Sequence, residues 1–156
     1  MIRRIRIDDA LWSSAPKLRR DDWRVSIVDL TDDARLGDDD DHLLHVAFDA
    51  AALACTTFDE AGAPRKTFEA RAADLKPHVD EYLAIVRKMH GGVVDFEAFD
   101  MAKKVVHDKA AKTLARAMPE LAPDHETYRR LFSLFFSVIV DVTKLPEARA
   151  HRRHGK

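Results

Sequence analysis

The sequence predicts an α+β fold: an N-terminal antiparallel β-meander of about four to five strands, covered on one face by three C-terminal helices. Three observations carry that expectation. Short runs before residue 72 alternate apolar and polar side chains with period two. From Asp74 onward the apolar residues recur at helical spacing. Residues 131–142 are apolar almost everywhere, broken only by Ser133, Ser137 and Asp141. A helix apolar around most of its circumference must be enclosed by other elements. The run is too short and too interrupted to span a bilayer, which takes about 20 mostly apolar residues. It is expected to be the core helix, with no membrane association.

Residues 2–7 place Ile5 and Ile7 on one face and Arg4 and Arg6 on the other, as an edge strand would. Asp8 to Asp22, with Ser13-Ser14, Pro16 and mixed charges, reads as a loop. Trp23 to Leu30 alternates Trp23, Val25 and Ile27 against Arg24 and Ser26 and is expected as a second strand. The acidic run 38–41 fails the calcium-loop pattern, because Leu43 and Asp49 stand at its sixth and twelfth positions. It is read as a solvated loop between strands. His42 to Phe48, Ala52 to Phe58 and Arg65 to Ala70 complete the strands, with a turn at 59–64. Brief connections argue for antiparallel neighbours.

Asp74 is expected to cap the first helix, with Pro77 in its first turn and Val79, Tyr82, Leu83, Val86 and Met89 facing inward. Gly91-Gly92 would end it. Asp95 caps a second helix over 96–118, whose narrow apolar arc holds Phe99, Ala102, Val106, Ala110, Thr113 and Ala117. Asp124 caps the third. One domain is expected over 1–145, followed by a flexible basic tail over 146–156.

The formal net charge of −1 supplies no global basic field, and the tail lacks aromatic interleaving, so no nucleic-acid partner is expected. Cys55 is the only cysteine, which excludes an internal disulfide and a cysteine-rich zinc module. It is expected as a small buried apolar residue. The N-terminal MIRRIRIDDALW lacks the apolar core of a signal peptide, and cytoplasmic residence is the expectation. The chain contains no Asn and no Gln, as codon bias in a GC-rich genome would produce. Anion recognition therefore falls to backbone, hydroxyls and charges.

Two runs bring a family into view. Asp100-Met101-Ala102-Lys103-Lys104-Val105-Val106-His107 is similar to a family run of Asp-Met-Gly-Arg-Arg-x-x-His. Thr127-Tyr128-Arg129-Arg130-Leu131-Phe132-Ser133-Leu134 is similar to a Thr-Ala-Arg-Arg-Leu-Phe-Thr-Leu run. On these residues the chain resembles a divergent member of the bacterial group called uncharacterised protein family 0262. It departs from that pattern at Ala102, where the family has Gly, and at Asp108-Lys109-Ala110, where Asn-Glu-Gly is usual. The resemblance implies no catalytic residue and no cofactor.

No catalytic motif is recognisable, and the reading leans away from an enzyme. His125-Glu126 begins an HExxH register but meets Arg129 where His is required. His42 and His45 fall on opposite faces of a strand, so no metal site is assigned. The serines sit in no Gly-x-Ser-x-Gly context. The leading expectation is a non-enzymatic, self-associating interaction module, such as a homodimer, using the line of small residues Ser133 and Ser137 on the third helix. The alternative is a small-molecule anion site, or an enzyme acting on such a ligand, between the second and third helices. Its candidate residues are Asp100, Lys104 and His107 on one helix and Arg129 and Arg130 on the other. An ordinary half-exposed helix flank explains the same residues without a ligand.

Overall fold

A computed structural model of the protein describes residues 1–89 and 95–142. The expected Gly91-Gly92 terminator and the 146–156 tail lie outside those residues. Four strands, β1 (Arg4–Ile7), β2 (Leu43–Phe48), β3 (Ala52–Phe58) and β4 (Pro64–Arg71), form one sheet in sequence order. Among the described residues five helices accompany them: α1 (Asp9–Ser14), α2 (Lys17–Asp33), α3 (Ala72–Met89), α4 (Phe96–Ala117) and α5 (His125–Ile139). The class is α+β, as expected, but with five helices rather than three.

The sheet is mixed rather than a strict antiparallel meander. β2, β3 and β4 pair antiparallel, whereas β1 runs parallel to β2, with Ile5 opposite Leu44 and Ile7 opposite Val46. The antiparallel expectation assumed brief connections. α1 and α2 between the first two strands supply the long crossover that a parallel pair needs.

The expected strand over 23–30 and the expected loop over 8–22 are therefore overturned together. Trp23, Val25 and Ile27 do alternate, but Trp23, Ile27 and Leu30 also stand at i, i+4 and i+7. Tertiary contacts decide for the helical period: Trp23 and Leu30 are buried, while Val25 and Val28 face water. The Trp23 indole N–H donates to the Ser137 carbonyl at 3.0 Å, and Arg19 donates to the Val138 carbonyl at 2.9 Å. Both carbonyls belong to the last turn of α5, where no intrahelical donor remains. Arg19 also brings positive charge to the negative end of the helix dipole. α2 thus closes the end of the core helix.

α5 is enclosed between α2 and α4. Leu131, Phe132, Leu134, Phe135, Phe136 and Val138 are all buried. Facing them are Ile5, Ile7, Leu44, Val46, Leu53, Cys55 and Ala70 from one side of the sheet. Burial pushes the Cys55 thiol up to about 12, so it remains protonated and packs as an apolar group.

Two further boundaries differ in detail. Asp74 lies inside the first turn of α3 and pairs with Arg71 at 3.0 Å instead of capping the helix. The inward side of α4 is Phe99, Val106, His107, Ala110, Ala111 and Leu114, rotated from the expected arc toward His107. The caps at Asp95 and Asp124 form as expected, with side chains accepting from the N–H groups of Ala98 and Thr127.

Candidate functional site

Helices α4 and α5 form a hairpin. The Tyr128 hydroxyl donates to the Met118 carbonyl at 2.6 Å near the turn, and His107 meets Ser133 farther along. On α4 the polar residues Asp100, Lys103, Lys104 and His107 stand at i, i+3, i+4 and i+7, and therefore share a face. On α5, Glu126, Arg129, Arg130 and Ser133 repeat the same spacing. Those two faces enclose a cavity of about 250 Å³ lined by all eight residues. Drug-sized sites occupy roughly 300–1,000 Å³, so this one suits a compact ligand.

His107 forms the inner wall. Its Nδ1 lies 2.9 Å from the Lys103 carbonyl, and its Nε2 lies 3.3 Å from Ser133 Oγ. A carbonyl can only accept, so Nδ1 carries the proton and Nε2 is left as an acceptor. The Ser133 hydroxyl donates to it. Tyr82 and Phe132 present T-shaped contacts to the imidazole at centroid distances of 5.0 and 5.2 Å, which fix the ring plane. Burial, joined by the charges of Lys103 and Arg129, outweighs the Lys103 carbonyl and pushes His107 down to about 4. The ring is neutral at physiological pH.

The cations are incompletely neutralised. Arg129 lies 3.0 Å from Glu126 and 3.2 Å from Asp108, and Arg130 reaches Glu126 at 3.9 Å. The Arg129 Nε, although close to Asp108, is buried without an aligned hydrogen bond. Burial lowers the Lys103 ammonium below its ordinary value; Asp100 opposes that shift and Arg129 adds to it. Four cationic side chains thus line the cavity with the carboxylates of Asp100 and Glu126, and Asp108 pairs with Arg129 from beside it. An anion placed between Lys103 and Arg129 would relieve their repulsion.

The five candidate residues from the sequence, Asp100, Lys104, His107, Arg129 and Arg130, all line this one cavity. Ser133, expected at an interface, lines it too, whereas Ser137 is buried and donates to the Leu134 carbonyl at 2.7 Å. Lys103 and Glu126 are the residues that sequence reasoning missed. The repeated i, i+3, i+4, i+7 spacing would have found both, since it continues the helix faces already singled out.

A larger cleft of about 960 Å³ opens at one end of the sheet, beside Asp39, Asp40, Asp41 and Arg65. Its lining carries Arg3, Arg35 and Arg65 against Asp39, Asp40, Asp41, Asp59 and Glu60, and the part nearest β4 is already paired. Arg65 bonds Asp38 and Asp41, each at 2.6 Å, and Lys66 bonds Asp38 at 2.6 Å. No group of three or more His, Cys, Asp or Glu side chains arranged to hold a metal occurs among the described residues.

A family model described as Uncharacterised protein family (UPF0262) matches residues 1–141. A UPF0262 protein from Paracoccus denitrificans is 29% identical over 152 residues, covering 87% of this chain and 93% of that protein. No solved structure matches the chain. The two runs that carry the resemblance, 100–107 and 127–134, are the segments whose side chains converge on the small cavity.

Proposed function

We propose that this chain, which belongs to the UPF0262 family, binds a small anionic molecule between α4 and α5. The observation that carries the reading is the convergence of Lys103, Lys104, Arg129 and Arg130 on one small cavity whose inner wall is a neutral histidine. Excess positive charge in a partly desolvated recess is costly without a counter-charge, and an anion supplies it. The test is thermal unfolding with inorganic phosphate against sodium chloride of equal ionic strength. Phosphate at a hundred times its Kd should stabilise the protein by about 2.7 kcal/mol. The shift should shrink in Lys103→Met and Lys104→Met. Equal curves in phosphate and chloride would end the proposal.

Self-association is a second reading, supported by a different surface from the one expected. Leu18, Val25 and Val28 lie along one flank of α2 and are each at least half exposed. An apolar flank of that kind suits a second copy of the chain. Sedimentation velocity at micromolar concentration should show a dimer that Val25→Glu dissolves; monomer alone would remove this reading. No helix among the described residues is long and apolar enough to cross a membrane. We propose a reducing, cytoplasmic setting from the sparse cysteine usage, a single Cys55, and fractionation would check it.

A further inference from the structure

The hydrogen-bond polarity of the cavity narrows its ligand. Lys103 C=O can only accept, so the neutral His107 donates to it through Nδ1 and offers Nε2 as an acceptor. The Ser133 hydroxyl has two partners within reach, His107 Nε2 at 3.3 Å and the Arg129 carbonyl at 3.5 Å. Both are acceptors. Donation to Nε2, the shorter of the two, directs its single proton into the protein and leaves its oxygen lone pairs for the cavity. Turning the proton toward an anion would strand the Nε2 of a buried ring without a donor. Asp100 on the same lining is an acceptor as well, while Glu126 already accepts from Arg129 at 3.0 Å.

The cavity thus combines cations that want an anion with acceptors that want a donor. We infer that its ligand is an oxyanion carrying its own hydroxyl, such as hydrogen phosphate, a hydroxylated phosphate ester or a hydroxy acid, with that hydroxyl donating to Ser133 Oγ. This rests on the cavity being an anion site, and it adds a selectivity that charge alone would not produce. A fully deprotonated anion of the same shape satisfies the lysines and arginines but leaves Ser133 facing another acceptor.

Hydrogen phosphate and sulfate make the matched pair. At about pH 8 both are tetrahedral dianions of similar size, and they differ by one O–H. Isothermal titration of the full chain with each, at equal ionic strength, should give hydrogen phosphate an affinity about tenfold higher, the scale of one hydrogen bond made or denied. Ser133→Ala should erase that preference, weakening phosphate by the lost hydrogen bond and relieving sulfate of the facing acceptor. Ser133→Thr, which keeps the hydroxyl, should retain it. Equal binding of both dianions by the wild type would overturn the donor inference and leave the anion site standing. Binding of neither would overturn the site and this inference with it. A preference that survives Ser133→Ala would show that Ser133 does not read the hydroxyl.

Discussion

Asp41 and Lys103 are both charged side chains drawn away from water, and the molecule treats them differently. Asp41, in the loop before β2, is 2% exposed and fully engaged. It accepts from the Asp38 N–H at 2.9 Å and from Arg65 at 2.6 Å, with Lys66 at 3.6 Å. Burial raises its pKa, but those partners and Thr57 more than offset it, and the net shift is downward. Lys103 is half-buried beside Arg129, and its pKa falls. One cluster closes on itself and serves the fold. The other keeps an unbalanced charge beside an open recess, as a binding site requires. The size of a cleft is therefore a poor guide here, because the larger one adjoins the satisfied network.

The strongest way to break this contrast is to empty the satisfied cluster. Asp41→Ala leaves Arg65, Lys66 and the Asp38 N–H without their shared acceptor. It should cost about 2–3 kcal/mol in urea unfolding, less than a fully buried pair because Arg65 reaches water. Phosphate binding by the surviving folded protein should be unchanged. Because the folded Asp41 pKa lies below its unfolded value, its contribution is present above the ordinary carboxylate range. It is lost as pH falls through the depressed value.

His107 gives the next largest effect, at higher pH. Its folded pKa of about 4 lies below the unfolded value near 6.5, so the unfolded chain binds the extra proton between them. Stability from this group is fully present above about pH 6.5 and falls as pH drops toward 4. Wild type should lose on the order of 2 kcal/mol between about pH 7 and about pH 5 from His107 alone. His107→Leu should flatten that part of the urea-derived profile; an unchanged slope would place the titration elsewhere.

A smaller effect is expected at Gly37. Its φ of 68° is left-handed, and a Cβ there would stand 2.6 Å from Asp41 Oδ2. Gly37→Ala should cost about 1–2 kcal/mol in thermal unfolding, again without touching anion binding. Lys104→Met sharpens the comparison from the other side. The side chain is exposed, so stability should move by less than about 0.5 kcal/mol while the phosphate-induced shift diminishes. A large loss of stability there would mean that the cavity's cations belong to the fold after all.

Much of the site was legible before the fold. The order Asp100, Lys104, His107 follows from helical spacing, and the Asp124 cap fixes where α5 begins and hence how Arg129 and Arg130 are phased. Ser133 and Ser137 were harder to separate, since both lie near one line of the helix. The contact that divides them is α2: Trp23 covers the carbonyl of Ser137, and nothing comparable covers Ser133. The sequence pattern predicts a loop over 8–22 and a strand over 23–30, so that distinction is out of reach without the fold.

The amino-acid sequence by itself determined the core helix, its N-cap at Asp124 and the shared face of Asp100, Lys104 and His107 on α4, because helical periodicity and capping are local properties. It also determined that a single cysteine and no carboxamide side chains would be available for chemistry. Only the tertiary structure decided that residues 23–30 are helical, that β1 runs parallel to β2, and that two polar faces meet around a cavity. Each of those depends on partners distant in the chain. Trp23 satisfies a carbonyl 114 residues away, and no local pattern encodes that demand.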